Sequence, residues 1–160
     1  MRKPFSHNPH RDPDRRAIWQ ILMPEDFEGW CSASFAKCKK RFDRDFCGYN
    51  ANFKPDPDDW KLEFPLLARY RKAWLESARW GGKNQPKKGT WMEFFDASVR
   101  LDVIDIVGNR ALARKKFFGT TTLRNGKKFR IAWQTHYWLR KRGRQWRITG
   151  FLGYLPYDGK

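Results

Sequence analysis

Residues 99–157 read VRLDVIDIVGNRALARKKFFGTTTLRNGKKFRIAWQTHYWLRKRGRQWRITGFLGYLPY, and the fold follows from how this stretch is punctuated. Gly108-Asn109, Asn125-Gly126 and the turn Lys141-Arg142-Gly143-Arg144 separate long runs rich in β-branched and aromatic residues. Asn-Gly between two such runs is the strongest short hairpin signal, because a type I′ turn needs positive φ at both central residues. The pattern predicts a four-stranded antiparallel meander, the curved wall of an α+β fold.

A two-residue turn fixes register, and register fixes which side chains share a face. A first turn at Gly108-Asn109 sets Val107 opposite Arg110 and Val103 opposite Arg114. A second at Asn125-Gly126 sets Phe118 opposite Trp133 and Arg114 opposite Tyr137. A third at Arg142-Gly143 sets Tyr137 opposite Ile148 and Trp133 opposite Leu152. One face then carries Val99, Leu101, Val103, Leu112, Phe118, Ile131, Trp133, Tyr137, Leu139, Trp146, Ile148 and Leu152, and should lie under helices. The other carries Arg100, Asp102, Ala111, Ala113, Lys115, Phe117, Gln134, His136, Trp138, Arg147, Thr149 and Phe151. A mixed face holding Trp and Phe suits a partner surface such as a homodimer contact. One bulge would exchange part of this assignment.

Upstream the period changes to that of helices. A first helix starts near Asp12 to Asp14 with Pro13 in its opening turn, and carries Ala17, Ile18, Ile21 and Leu22 on one stripe. Pro24 interrupts it and opens a second helix to about Phe42, on which Phe27, Trp30, Cys31, Phe35, Cys38 and Phe42 recur at spacings of three, four and seven. A short strand at about 45–51 and the loop KPDPDDW follow. A third helix covers 65–80 with Leu66, Leu67, Tyr70, Ala73, Trp74 and Ala78 on one face, and the run from Met92 to Val107 reads as extended. Residues 1–12 form a flexible arm and 13–160 a single domain.

Composition bounds the function classes. The 160 residues are 40% hydrophobic and 17% aromatic, enough for a real core. Lys and Arg number 34 against 17 Asp and Glu, a formal charge of +17. That excess either marks a polyanionic partner or keeps a solvated surface free of aggregation; its spread over many segments favours the second. Cys31, Cys38 and Cys47 make an odd set with no CxxC pair and no adjoining His, which suits reduced core thiols in a cytoplasmic protein. The amino terminus has charges without a following apolar run, and no stretch reaches the roughly 18 apolar residues of a membrane span.

The segments FEGWCSASFAKCKKRF and the 99–157 stretch, in this order of helices, short strand and terminal meander, resemble the nuclear transport factor 2-like superfamily and especially its SnoaL-like polyketide-cyclase branch. The resemblance covers about residues 14–157 and extends to endings such as WRITGF. It implies a cone in which three helical segments wrap a curved antiparallel sheet around a pocket. Members are isomerases, cyclases, dehydratases or epoxide hydrolases, and others only bind ligands or partners.

Within such a pocket, Arg114 and its expected neighbour Tyr137 could hold an anionic or carbonyl-bearing ligand, with Thr135 beside them. Trp133 from the sheet and Trp30, Tyr70 and Trp74 from the helices complete the ligand-binding candidates, and Trp19, Trp30, Trp60, Trp74, Trp133 and Trp146 could line a pocket for a flat hydrophobic molecule. The plainer reading pairs Arg114 with a carboxylate and makes the aromatic residues core. Asp102 and His136 are the catalytic candidates, since Asp and His within reach of one another can do acid–base work, and Lys115 and Thr149 share their cross-strand row. The register places that row outside the pocket, where a solvated or interfacial charge row is the simpler account.

No GxGxxG, P-loop, HExxH or GxSxG occurs, so no cofactor or metal is expected. The expected function is a cofactor-independent isomerase, cyclase or hydrolase acting on a small hydrophobic or carbonyl-bearing molecule. The alternatives are a non-catalytic ligand-binding or dimeric module, and nucleic-acid binding through basic hairpin ends such as RKRGRQW and RNGKKF.

Overall fold

The computed structural model of the protein describes residues 2–160. Helix α1, Pro13–Gln20, starts where Asp12 accepts a hydrogen bond from the Arg15 N–H and Pro13 occupies the first turn. It runs through a π-helical turn, Ile21–Glu25, into α2, Asp26–Cys31. Pro24 lies inside that wider turn, so the missing N–H shifts the hydrogen-bond pattern instead of ending the helix. Helix α3, Ala36–Lys39, is a separate short piece, so the helix expected to run unbroken to Phe42 is divided near Ser32–Ser34.

Strands β1 (Phe42–Asn50) and β2 (Lys61–Phe64) are followed by α4 (Leu67–Lys83) and α5 (Trp91–Ser98). Helix α5 replaces the first part of the run read as extended from Met92. Its cause is a reciprocal capping box in which the Thr90 hydroxyl accepts from the Glu93 N–H and the Glu93 carboxylate accepts from the Thr90 N–H. The meander is β3 (Val99–Val107), β4 (Arg110–Thr122), β5 (Lys128–Arg142) and β6 (Gln145–Leu155). The six-stranded sheet has the order β2-β1-β6-β5-β4-β3 and does not close; β1 joins β6 in parallel and the other pairs are antiparallel.

The first turn stands where expected, with Val107 opposite Arg110 and Val103 opposite Arg114. The second does not. Leu123 and Lys127 close a three-residue loop, Arg124–Gly126, with Gly126 at φ 84. That single extra residue pairs Phe117 with Trp133 and Arg114 with His136. The third turn is Gly143-Arg144, one residue later than expected, so Leu139 faces Ile148, and a bulge then sets Tyr137 opposite Phe151. A one-residue slip moves every side chain to the other face. Ala111, Ala113, Lys115 and Phe117 therefore point inward, while Leu112, Arg114 and Phe118 point outward. A bulge between Arg100 and Val103 likewise turns Val103 out after Val99 and Leu101 point in.

The core lies between the inner sheet face and the helices, with Ile18, Leu22, Leu101, Ile131, Leu139 and Trp146 fully buried. The segment expected as a flexible arm packs onto it. Phe5 is buried and stacks on Phe27 at 5.4 Å, its N–H donates to Asp96, and the His10 imidazole bonds the Leu101 carbonyl at 2.8 Å. No helix among the described residues is long and apolar enough to cross a membrane.

Candidate functional site

Inward-pointing residues of β4, β5 and β6 and the facing sides of α2, α4 and α5 enclose a cavity of about 310 Å³. The sheet contributes Phe117, Ile131, Trp133, Thr135, Tyr137 and Phe151; the helices contribute Asp26, Phe27, Trp30, Tyr70, Trp74, Ser77 and Phe95. Phe117 and Trp133 stack at 4.7 Å as one flat panel of the wall. Polar side chains gather elsewhere on the lining, where Asn50 donates to Glu63 at 2.6 Å and Tyr154 takes a positive φ of 54°.

Two phenols face this space. Among the described residues neither the Tyr70 nor the Tyr137 hydroxyl has a hydrogen-bond partner, although both side chains line the cavity. Burial pushes both phenols well above the ordinary tyrosine range, with nearby acidic groups adding to the effect. Both therefore stay protonated donors at neutral pH.

The third ionisable group is Asp26, whose side chain is 24% exposed and lines the cavity. It sits at the first position of α2, where the π-helical turn ends, and one carboxylate oxygen accepts from Lys115 Nζ at 2.9 Å. Lys115 is 0% exposed. Its ammonium also donates to the Leu22 carbonyl, and lies 4.2 Å from the Phe27 ring centre and 5.9 Å from that of Tyr137. Burial lowers the Lys115 pKa, and the Asp26 carboxylate opposes that shift. A buried cation costs several kcal/mol unless paired, so this lysine anchors the carboxylate in one place. The other carboxylate oxygen accepts no protein hydrogen bond among the described residues.

The sequence candidates divide by face. Trp30, Tyr70, Trp74, Trp133, Thr135 and Tyr137 are all brought to the cavity. Arg114 is not: it lies on the outer face, paired with Asp105 at 3.2 Å, because the three-residue loop shifted β4. His136 is opposite Arg114 on the outer face, and its imidazole bonds Gln134 at 3.2 Å. Asp102 is exposed within the β3 bulge, and no hydrogen bond joins it to His136 among the described residues. Lys115, expected in their outer row, is inside. The pair Asp26 and Lys115 was legible only as anomalies: an acid within the apolar run Leu22, Met23, Phe27, Trp30, and a cation in the alternation Ala111, Ala113, Phe117.

No protein-family model matches the chain. No curated protein matches it either. Solved structures do. A nuclear transport factor 2-like protein of unknown function from Shewanella baltica aligns with a TM-score of 0.56 at 19% identity, over 92% of this chain and 97% of its own. A nuclear transport factor 2-like protein with a cystatin-like fold from Novosphingobium aromaticivorans gives 0.56 at 13% identity, over 92% and 84%. A ketosteroid isomerase-like protein from Erwinia carotovora atroseptica gives 0.54 at 12% identity, over 89% and 95%. The chain has the nuclear transport factor 2-like, cystatin-like fold.

Proposed function

We propose that the chain is a small-molecule enzyme that moves a proton on a hydrophobic, carbonyl-bearing substrate, as an isomerase, cyclase or hydrolase without a resident cofactor. The observation that carries this reading is an anchored carboxylate, Asp26, opening into an aromatic cavity that also holds the two unpartnered phenols of Tyr70 and Tyr137. A volume of about 310 Å³ lies at the small end of ligand pockets, so the substrate is compact.

In this reading the free Asp26 oxygen takes a proton from the carbon beside the carbonyl. The phenols donate to the carbonyl oxygen as negative charge develops there, and their raised pKa keeps the protons in place. Asp26 then returns the proton to a second carbon, which is an isomerisation, or the carbanion attacks within the substrate, which is a cyclisation. The Phe117–Trp133 panel supports a flat ring, and Trp30 and Trp74 close over it. The description of one structural neighbour as ketosteroid isomerase-like runs the same way.

One observation favours a second reading, a non-catalytic carrier: one Asp26 oxygen is already held by Lys115 at 2.9 Å, so the carboxylate serves in part as a structural anchor. Tryptophan-fluorescence titration with a panel of aromatic and alicyclic ketones, followed by proton–deuterium exchange at the carbon beside the carbonyl, separates the two. Exchange that disappears in Asp26→Asn supports the enzyme. Saturable binding without exchange supports the carrier, and absence of binding across the panel sinks both.

A further inference from the structure

The outer face of the sheet has no role in that chemistry, and it carries a distinct arrangement. Along the paired strands β4 and β5, the outward cross-strand pairs run Arg110 with Arg140, Leu112 with Trp138, Arg114 with His136, Lys116 with Gln134, Phe118 with Ala132, and Thr120 with Arg130. Cations and exposed aromatic rings thus alternate over one surface. Trp138 is 40% exposed and Phe118 is 44% exposed. The Trp138 indole reaches Gly150, with Cε3 3.3 Å from where a Cβ would sit, so the missing side chain leaves room for the ring. Arg130 approaches the Phe118 ring at 6.0 Å, and Tyr157 adds a ring 6.1 Å from Phe118.

We infer that this outer face binds single-stranded nucleic acid. Phosphates would lie against Lys116, Arg130 and Arg140, and bases would stack on Trp138 and Phe118. Three observations carry the inference. The first is sign: the outward carboxylates of β3 are Asp102 and Asp105, and Asp105 is spent on Arg114, in a chain whose formal charge is +17. A polyanion is the complement such a surface lacks. The potential is felt locally, since His136 is held below the ordinary imidazole range by burial and then by Arg114 and Lys116.

The second is the aromatic component. Rings exposed on an open sheet face offer stacking surfaces, which paired bases in a duplex cannot use and unpaired bases can. The third is reach. Trp138 stands six residues along β5 from Ala132, the partner of Phe118, which is about 20 Å at strand spacing. That distance spans several nucleotides, with Arg114 and Lys116 between the two platforms. A second copy of the chain fits less well, because a two-fold contact sets the same patch on both sides and brings cation against cation.

Fluorescence anisotropy of labelled oligouridylate and oligothymidylate, against duplexes of matching length, tests this between about 50 and 200 mM salt. The expected result is tighter binding of single strands than of duplexes. Trp138→Ala and Phe118→Ala should each weaken it by roughly 5- to 100-fold without changing the salt slope. Lys116→Gln and Arg130→Gln should lower that slope by roughly 0.7 per lost phosphate contact. Equal affinity for duplex and single strand, or aromatic variants that bind as wild type does, would reduce the surface to generic charge attraction and overturn the inference. So would light scattering that shows a dimer dissociating in Trp138→Ala with no effect of oligonucleotide on either variant. All these residues lie on the face opposite the cavity, so ketone binding is expected to be unchanged throughout.

Discussion

Lys115 Nζ stands 2.9 Å from an Asp26 carboxylate oxygen and 4.2 Å from the centre of the Phe27 ring, a wholly buried ammonium held between an anion and an aromatic face. The two residues come from opposite layers of the fold, the sheet and the first long helix, so the pair ties those layers together at the edge of the cavity. Breaking one partner leaves the other's charge buried and alone, which costs about 3–5 kcal/mol, whereas replacing both by apolar groups is close to neutral.

Lys115→Met should therefore lower the unfolding free energy by about 3–5 kcal/mol, and Lys115→Met with Asp26→Leu should recover most of it. Urea denaturation of the two single variants and the double variant reads the coupling directly. Additive losses would mean that the ion pair is incidental. Where Lys115→Met remains folded, the Asp26 carboxylate loses the partner that fixes it, so any proton-exchange activity should fall together with stability.

Gly81 offers a test of how closely the helices shape the cavity. A Cβ at this position of α4 would enter the six-membered ring of Trp30, a cavity wall whose indole N–H donates to Ser77 at 3.1 Å. Helix propensity alone would favour alanine by about 1 kcal/mol. Overpacking costs about 1–3 kcal/mol, and here the obstacle is a ring packed against Trp91 and Phe95, so the steric effect wins. Gly81→Ala should destabilise the fold, shift the tryptophan emission and weaken ligand binding; a gain in thermal midpoint would show that Trp30 moves freely.

Much of this was legible beforehand, and what was not has specific causes. The meander and the alternating inner positions of β5 followed from turn residues and period. The faces of β4 did not, because Asn125-Gly126 signals a two-residue turn whereas Arg124 joins the loop, and one residue reverses a whole strand. Arg114 left the pocket and Lys115 entered it for that reason alone. Helix α5 was missed although its Thr90–Glu93 capping box is visible in the sequence, because the run Trp91–Val99 is aromatic enough to suit a strand. The pairing of Asp26 with Lys115 spans 89 residues, and no local pattern reports a contact between layers.

Acid sensitivity should trace to two carboxylates far from the cavity. Asp14 accepts from Lys141 and from the Trp146 indole, and Asp43 accepts from Arg142 and the Asp45 N–H; these side-chain hydrogen bonds hold both carboxyls below the ordinary aspartate value of 3.8. A depressed folded pKa means that the unfolded chain binds more protons, so the stability is present above 3.8 and is lost as pH falls from there through the folded values. Urea midpoints measured from pH 6 to pH 2 should fall steeply in the wild type and less steeply in Asp43→Asn. Identical slopes would assign the acid response to other groups.

The tyrosine hydroxyls separate a binding role from a structural one. A phenol that anchors the fold has a protein partner, and its loss costs about 0.5–1.5 kcal/mol. Tyr70 and Tyr137 have none among the described residues, and both side chains line the cavity. Tyr137→Phe should accordingly leave the unfolding free energy unchanged or slightly raised, while weakening a bound ketone by about tenfold, the value of one hydrogen bond near 1.4 kcal/mol. The same ketone with its carbonyl reduced to methylene should bind both proteins alike. Stability that drops with ligand affinity intact would make Tyr137 a packing residue, and the carbonyl would then be held by Tyr70 or Thr135, the remaining hydroxyls on that part of the wall.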